Sequence, residues 1–337
     1  MSTTYVFGAG ASRDIGYPLA SEMGGQLLHF MQVSHDSIIE PCGELLIDTY
    51  GESLNVEDLI TELQSLVASL KDSQASEDKA RRSKFGTCLG WAGVALQQWF
   101  KEIHTRPAPD YATFAEEIVQ SGDVIISFNY DDSLERELKR AGKWDISQGY
   151  GFPLGIEKHA SKVLLLKLHG SINWLISLFG GARGGAFISS PVSSMGDHPV
   201  IHRADLDFLS YKDFVGHTYE GGGALPCLIL PGRNKQFFYD TSLGHEFVSF
   251  WDHLWSQAAH AIQQCEVMVV CGYSLLPVDR RACDLLLKTP RKETKIEIVS
   301  GSQTDRIAND FRTAGFNSVK AFQGGYFHDW CMTHKSR

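Results

Sequence analysis

The chain has 337 residues, of which 43% are hydrophobic and 21% charged, and a formal net charge of -9. That length buries a full core, as one large domain or one with an inserted lobe, and the acidic balance gives no general attraction to nucleic acid. No apolar run reaches the roughly 18 residues of a spanning helix, the first apolar stretch is too short for a signal peptide, and the seven scattered cysteines contain no C-x-x-C pair.

These features point to a cytoplasmic globular protein without a zinc ribbon or a disulfide framework. The cysteines read as reduced, partly buried thiols.

In chain order, the first element is a buried strand, Thr4 to Phe7, running into Gly8-Ala9-Gly10-Ala11-Ser12. Mainly helical sequence follows over residues 33–120, with apolar residues at helical spacing from Leu54 to Leu70 and again from Gly90 to Ile103. The polar stretch 71–84 reads as a break between those helices. A βαβ crossover does not need this length, so 33–120 is expected to be an inserted helical lobe.

Further short apolar runs read as strands at Val124 to Phe128, Val163 to Leu168, Val267 to Cys271 and Ile296 to Val299. Helical stretches follow at Asp131 to Ala141 and Arg280 to Leu287. Between them, residues 178–225 contain the cluster GGARGG at 180–185 and read as a second, loop-rich insertion. The alternation predicts an α/β fold: a Rossmann-like open parallel sheet in a single domain spanning 1–337.

Polar residues collect where these strands end. Gly8 to Ser12 suits a phosphate cradle ahead of a helix N-terminus, or simply a tight glycine turn. As a G-x-G-x-x-G fingerprint it is incomplete, because Arg13 stands at the third glycine position. Asn129 and Asp131 follow the second strand, where they point toward a ligand, or Asn129 or Asp132 simply caps the following helix. His169-Gly170 follows the third strand, either as a structural histidine or as a base with room beside it. Gly272-Tyr273-Ser274 and Ser300-Gly301 follow the last two strands.

The ordered set Gly-Ala-Gly-Ala-Ser, Gly16-x-Pro18, Asn129-x-Asp131, His169-Gly170 and Gly272-x-Ser274 resembles the sirtuin-like fold over nearly the whole chain. SFNYDDSLE, KLHGSINW and CGYSLLPVD resemble in particular the prokaryotic sirtuin-like antiphage-defence proteins, whose domain hydrolyses NAD+. Three departures separate the chain from protein deacylases. Tyr17-Pro18-Leu19 replaces an Asp-Phe-Arg loop, Ser127-Phe128-Asn129-Tyr130-Asp131 replaces Thr-Gln-Asn-Ile-Asp, and paired zinc cysteines are absent.

The resemblance implies an NAD+ glycohydrolase releasing nicotinamide and ADP-ribose, with NAD+ as substrate and no metal. It implies His169 as general base, with Asn129 and Asp131 orienting the nicotinamide ribose and water. The pyrophosphate would lie on the amides of Gly8, Ala9, Gly10, Ala11 and Ser12, beside Pro18. Gly272, Tyr273 and Ser274 would hold the ribose–phosphate region, and Ser300 and Gly301 the adenosine end.

The same resemblance implies abortive-infection control through a homo-oligomer or a sensor partner such as a HerA-type ATPase, a short Argonaute or a nucleotide-signal protein. No membrane or direct nucleic-acid contact is expected. The alternatives are an NAD-dependent deacylase or ADP-ribosyl transferase, and a module that senses NAD+ or ADP-ribose without turning it over. A dehydrogenase ranks below these, since the third glycine and the ribose-binding acid are missing.

Overall fold

The computed structural model describes residues 2–52, 55–152, 161–177, 192–195, 198–202, 224–233 and 244–335. The strands are β1 (Thr3–Phe7), β2 (Val124–Ser127), β3 (Leu164–Lys167), β4 (Gly170–Ser177), β5 (Val192–Met195), β6 (His198–His202), β7 (Ala224–Leu228), β8 (Val267–Cys271), β9 (Lys295–Val299) and β10 (Val319–Ala321). Six of them form a sheet in the order β10-β9-β8-β1-β2-β3, and every pairing in it is parallel.

Continuous apolar runs build the central strands because both faces are covered. Tyr5 and Phe7 project to one side, where they meet Phe114 edge-on at 4.8 and 5.2 Å between ring centroids. The helices are α1 (Ala20–Val33), α2 (Ile39–Tyr50), α3 (Val56–Ser69), α4 (Ser76–His104), α5 (Pro109–Thr113), α6 (Ser133–Arg140), α7 (Ile146–Gly149), α8 (Gly244–Gln264), α9 (Arg280–Lys288), α10 (Thr304–Thr313) and α11 (Phe327–His334). The result is a Rossmann-like α/β architecture with a largely parallel core sheet and flanking helices.

The chain starts at the sheet centre, winds outward through β2 and β3, then returns to the other side of β1 as β8. The β1–β8 boundary is therefore a topological switch point. In sheets of this kind, ligands bind outside the carboxyl ends of the strands at such a point.

Helices α1 to α4 pack on one another beside the sheet, joined through buried Leu27, Leu28, Met31, Leu46, Leu59, Leu63 and Leu96. The polar stretch 71–84 is a break only over 71–75, because α4 begins at Ser76 and its first nine residues project into solvent. A helix turn with no apolar face has no periodic signal to read. Glu77 and Asp78 in that first turn favour the positive end of the helix dipole, and Asp78 accepts a 2.6 Å hydrogen bond from the Ser73 hydroxyl.

The sequence also gave no sign of a second sheet, in the order β5-β6-β4-β7. Its strand β4 leaves the β3 tip at once, through Gly170 at φ +81°. Of the expected loop-rich insertion, 192–195, 198–202 and 224–225 are strand; its remaining residues, with the GGARGG cluster, lie outside the described residues.

Candidate active site

The tips of β1, β2, β3 and β8 surround a cavity of about 280 Å³. Gly8, Ala9, Gly10, Ser12, Pro18, Asn129, Asp131, His169, Gly272, Tyr273 and Ser274 line it. Ala11, Ser300 and Gly301 do not. Gly301 instead lies beneath the ring of Tyr326, which fills the space a side chain would take, and the Ser300 amide is held by Thr304 at 2.9 Å. The β9 tip is thus capped by an aromatic ring.

The β1 loop differs from a phosphate cradle in its hydrogen bonding. The Gly8 amide donates to Cys271 O at 3.0 Å, Gly10 to Gly272 O at 2.9 Å, Ala11 to Gly8 O at 2.9 Å and Ser12 to Ala9 O at 3.2 Å. Four of the five amides assigned to the pyrophosphate are therefore already committed. The loop coils into short 3-10 turns at Ala9–Ala11 and Arg13–Ile15, and α1 starts only at Ala20.

The glycines serve another purpose, the close crossing of the β1 and β8 loops. A Cβ on Gly8 would lie 2.5 Å from Tyr273 Cα, and one on Gly10 2.9 Å from Gly272 Cα. Free helix-start amides occur further on. Ala20 and Ser21 line the cavity in the first turn of α1, where amides have no intrahelical acceptor.

Beneath the cavity lies a saturated polar cluster centred on Ser12. Its hydroxyl donates to Asp131 Oδ2 at 2.7 Å and accepts from Asn129 Nδ2 at 3.0 Å. With its one proton committed, it also accepts the Tyr111 hydroxyl at 2.8 Å. Asn129 Nδ2 donates as well to the Gly8 carbonyl at 3.1 Å, an acceptor that fixes which way the amide faces. Both amide hydrogens are spent, so Asn129 Oδ1 remains as an oriented acceptor.

Asp131 lines the cavity and is also tied into the structure around it. Its Oδ1 accepts the Ser133 amide at 3.2 Å, so both oxygens are used in holding Ser12 and the start of α6. Through Ser12 it also supports Asn129. Burial pushes the Asp131 carboxyl above the usual carboxylate range, against the pull of Lys167 and the Ser12 hydrogen bond. Burial likewise raises the Tyr111 phenol, keeping it a neutral donor.

Lys167, the last residue of β3, is 1% exposed. It donates to the Asp131 carbonyl and pairs with Glu135 Oε1 at 2.9 Å. His169 sits in an aromatic frame, 5.1 Å from Phe128 between ring centroids, and Phe128 stacks on Tyr273 at 4.4 Å. His169 Nε2 lies 3.3 Å from Asp279 Oδ2.

Asp279, Tyr111, Lys167 and Glu57 escaped the sequence reading. Asp279 is 110 residues from His169 and looks locally like the helix cap it also is, accepting the Ala282 amide at 3.4 Å. Glu57 reaches the cavity from α3, a helix with no strand end beside it in the sequence. Among the described residues that line the cavity, Glu57, Asp131 and Asp279 are acidic and none is lysine or arginine.

Among the described residues no group of three His, Cys, Asp or Glu side chains is placed to hold a metal ion. No helix among them is long and apolar enough to cross a membrane. No family model and no curated protein matches the chain. It is similar to a solved structure described as "Structural Basis for the Mechanism and Regulation of Sir2 Enzymes", at 15% identity and a TM-score of 0.40, over 99% of this chain and 91% of that one.

Proposed function

We propose that the chain is an NAD+ glycohydrolase that releases nicotinamide and ADP-ribose. One observation carries the reading: Asn129 and His169, on neighbouring strand tips, share a mainly apolar cavity with carboxyl groups and no cationic side chain among its described lining. A buried negative field of this kind stabilises positive charge as it develops. It suits a pyridinium ring and the oxocarbenium-like state in which the ribose C1′–N bond breaks.

The bonding electrons pass to the nicotinamide nitrogen, so the leaving group departs neutral and needs no acid. Water then bonds to C1′ and gives up a proton, which His169 accepts. Asn129 Oδ1 accepts a hydrogen bond from that water or from a ribose hydroxyl. The diphosphate rests at the first turn of α1, where the amides of Ala20 and Ser21 replace the committed amides of the β1 loop.

In this reading the α1–α4 bundle is a lobe that closes the site and contributes Glu57. An unrestrained enzyme of this type would empty its host of NAD+. The sequence resemblance supports reading it as an antiphage effector, held silent until an oligomeric assembly or a sensor partner releases it.

The test is chromatographic measurement of nicotinamide and ADP-ribose from NAD+, with Asn129→Ala and His169→Ala beside the wild type. Loss of product in both variants supports the assignment, and full turnover by both overturns it. Binding of NAD+ without cleavage, in every oligomeric state, would make the protein a sensor.

A further inference from the structure

We propose that Tyr326 is an autoinhibitory cap: its ring closes the β9 tip against the adenosine half of a dinucleotide, and displacing the ring opens the site to NAD+. The inference rests on the NAD+ reading above and names a device of this chain that restrains it.

The cavity at the tips of β1, β2, β3 and β8 measures about 280 Å³. That lies just under the roughly 300–1,000 Å³ of pockets that enclose drug-sized ligands, and a dinucleotide is two nucleosides joined by a diphosphate. With the nicotinamide ribose at His169, the far nucleoside continues along the row of strand tips, past β8 to β9, because ligands of such sheets lie outside the carboxyl ends of the strands. The β9 tip adjoins the cavity wall. The Ser300 hydroxyl donates to the Tyr273 carbonyl at 3.5 Å, and Arg306 on α10 donates to the Ser274 carbonyl.

Tyr326 occupies that continuation. A Cβ on Gly301 would lie 2.1 Å from Tyr326 Cε1 and 2.7 Å from Cζ, so the ring is seated on the glycine backbone and a ribose cannot share the space. The chain after the ring is fixed: Phe327 is buried, with its centroid 5.2 Å from that of Phe7 and 5.6 Å from that of Tyr111. The Tyr326 amide donates to Asp329 Oδ2 at 3.0 Å, and the chain before it turns through Gly325 at φ +110°.

The side chain is held differently from this backbone. It is 47% exposed, and among the described residues no hydrogen bond reaches its hydroxyl. A ring kept in place by contact alone, on a fixed backbone, leaves its seat by a change of side-chain rotamer. While it is seated, the binding-competent fraction is small, and apparent affinity falls by that fraction. A cap closed nine-tenths of the time weakens binding about tenfold.

The experiment compares the full-length wild type with Tyr326→Ala and Tyr326→Phe. NAD+ and nicotinamide mononucleotide, which lacks the adenosine half, are the substrates, and calorimetric binding of ADP-ribose is read beside them. Tyr326→Ala should raise kcat/KM for NAD+ about tenfold through KM, tighten ADP-ribose binding by a similar factor, and leave cleavage of the mononucleotide unchanged. Tyr326→Phe keeps the ring and should behave as wild type. A raised KM for NAD+ or weaker ADP-ribose binding in Tyr326→Ala would make the ring a platform for the base and overturn the proposal, as would no change in either.

If no protein cleaves either substrate, tighter ADP-ribose binding by Tyr326→Ala still supports the cap, and the failure falls on the hydrolase reading alone. If none of them binds ADP-ribose, both readings fall. Should Tyr326→Ala not fold, Tyr326→Leu keeps apolar bulk without the reach over Gly301, and its ADP-ribose affinity decides by the same sign.

Discussion

The two halves of the strand-tip edge are built on different principles. At the tips of β1, β2 and β3, polar groups are buried and bonded to one another: Tyr111, Asn129 and Asp131 on Ser12, and Lys167 between the Asp131 carbonyl and Glu135. At the tips of β8 and β9 the contacts are mostly backbone and aromatic. Gly272 turns at φ +64° against the β1 loop, Tyr273 stacks on Phe128, and Tyr326 covers Gly301.

A saturated polar cluster fixes the direction of the groups that remain available. This matters where a bond is to be broken. Close backbone approach and stacked rings fix shape, which matters where a ligand is only held. In the proposed reading the first half carries the chemistry and the second the contour of the cavity. Asp279 extends from the second half to the base in the first.

The contrast breaks most sharply at the reacting groups. His169→Ala and Asn129→Ala should each cut NAD+ cleavage by about 10²–10⁴-fold in protein that still folds by circular dichroism. Ser300→Ala, which sits under the capped β9 tip, should stay within about threefold of wild type by the same assay. Equal losses at both ends would erase the distinction.

Next in size is the buried ion pair. Lys167→Met leaves Glu135 buried without its cation and should cost about 3–5 kcal/mol in urea unfolding. Burial already raises Glu135 above its usual range, and Lys167 opposes that rise. Removing Lys167 raises it further. The loss should therefore be fullest at neutral pH, fade as pH falls through the raised folded values, and be gone by about pH 4.3, where folded and unfolded chains both hold the proton. The double variant Lys167→Met with Glu135→Leu should regain stability, and a double variant no better than the single would contradict the pairing.

Ser12→Ala removes the hydroxyl that three buried partners share. A loss of about 1–3 kcal/mol is expected, together with reduced cleavage as Asn129 loses one of its two anchors. Unchanged stability would mean that those partners find others.

The smallest effect lies at the rim, where His104 Nδ1 meets Asp132 Oδ1 at 2.6 Å and joins the end of α4 to the β2 tip. That hydrogen bond raises the His104 pKa against the opposing effect of burial. A raised histidine pKa gives stability that is complete below about pH 6.5 and is lost as pH rises through the folded value. The pair is partly exposed, so His104→Ala should remove only a few tenths of a kcal/mol of that pH dependence.

The parallel strands were legible because burial on both faces leaves uninterrupted apolar runs such as Val267 to Cys271. Strand β10, Val319–Ala321, was not, being three residues long with no fully buried side chain. Nor was β4, whose SINWLIS follows a histidine–glycine turn and reads as the continuation of a strand-tip motif. At the site, residues adjacent to strand ends could be read in order from the sequence. Asp279, Tyr111, Lys167 and Glu57 could not, because each is brought in by tertiary packing and carries no local sign of the partner it meets. The committed amides of the β1 loop were equally hidden, since a glycine that admits a phosphate and one that admits a neighbouring loop look alike in sequence.

The most direct test of the account incubates the purified chain, and any higher oligomer it forms, with NAD+ and quantifies nicotinamide and ADP-ribose beside Asn129→Ala. The account predicts equal amounts of the two products from the wild type and a loss of about 10²-fold or more in the variant. Equal release by wild type and variant, or no binding of NAD+ by the folded wild-type protein, would contradict it.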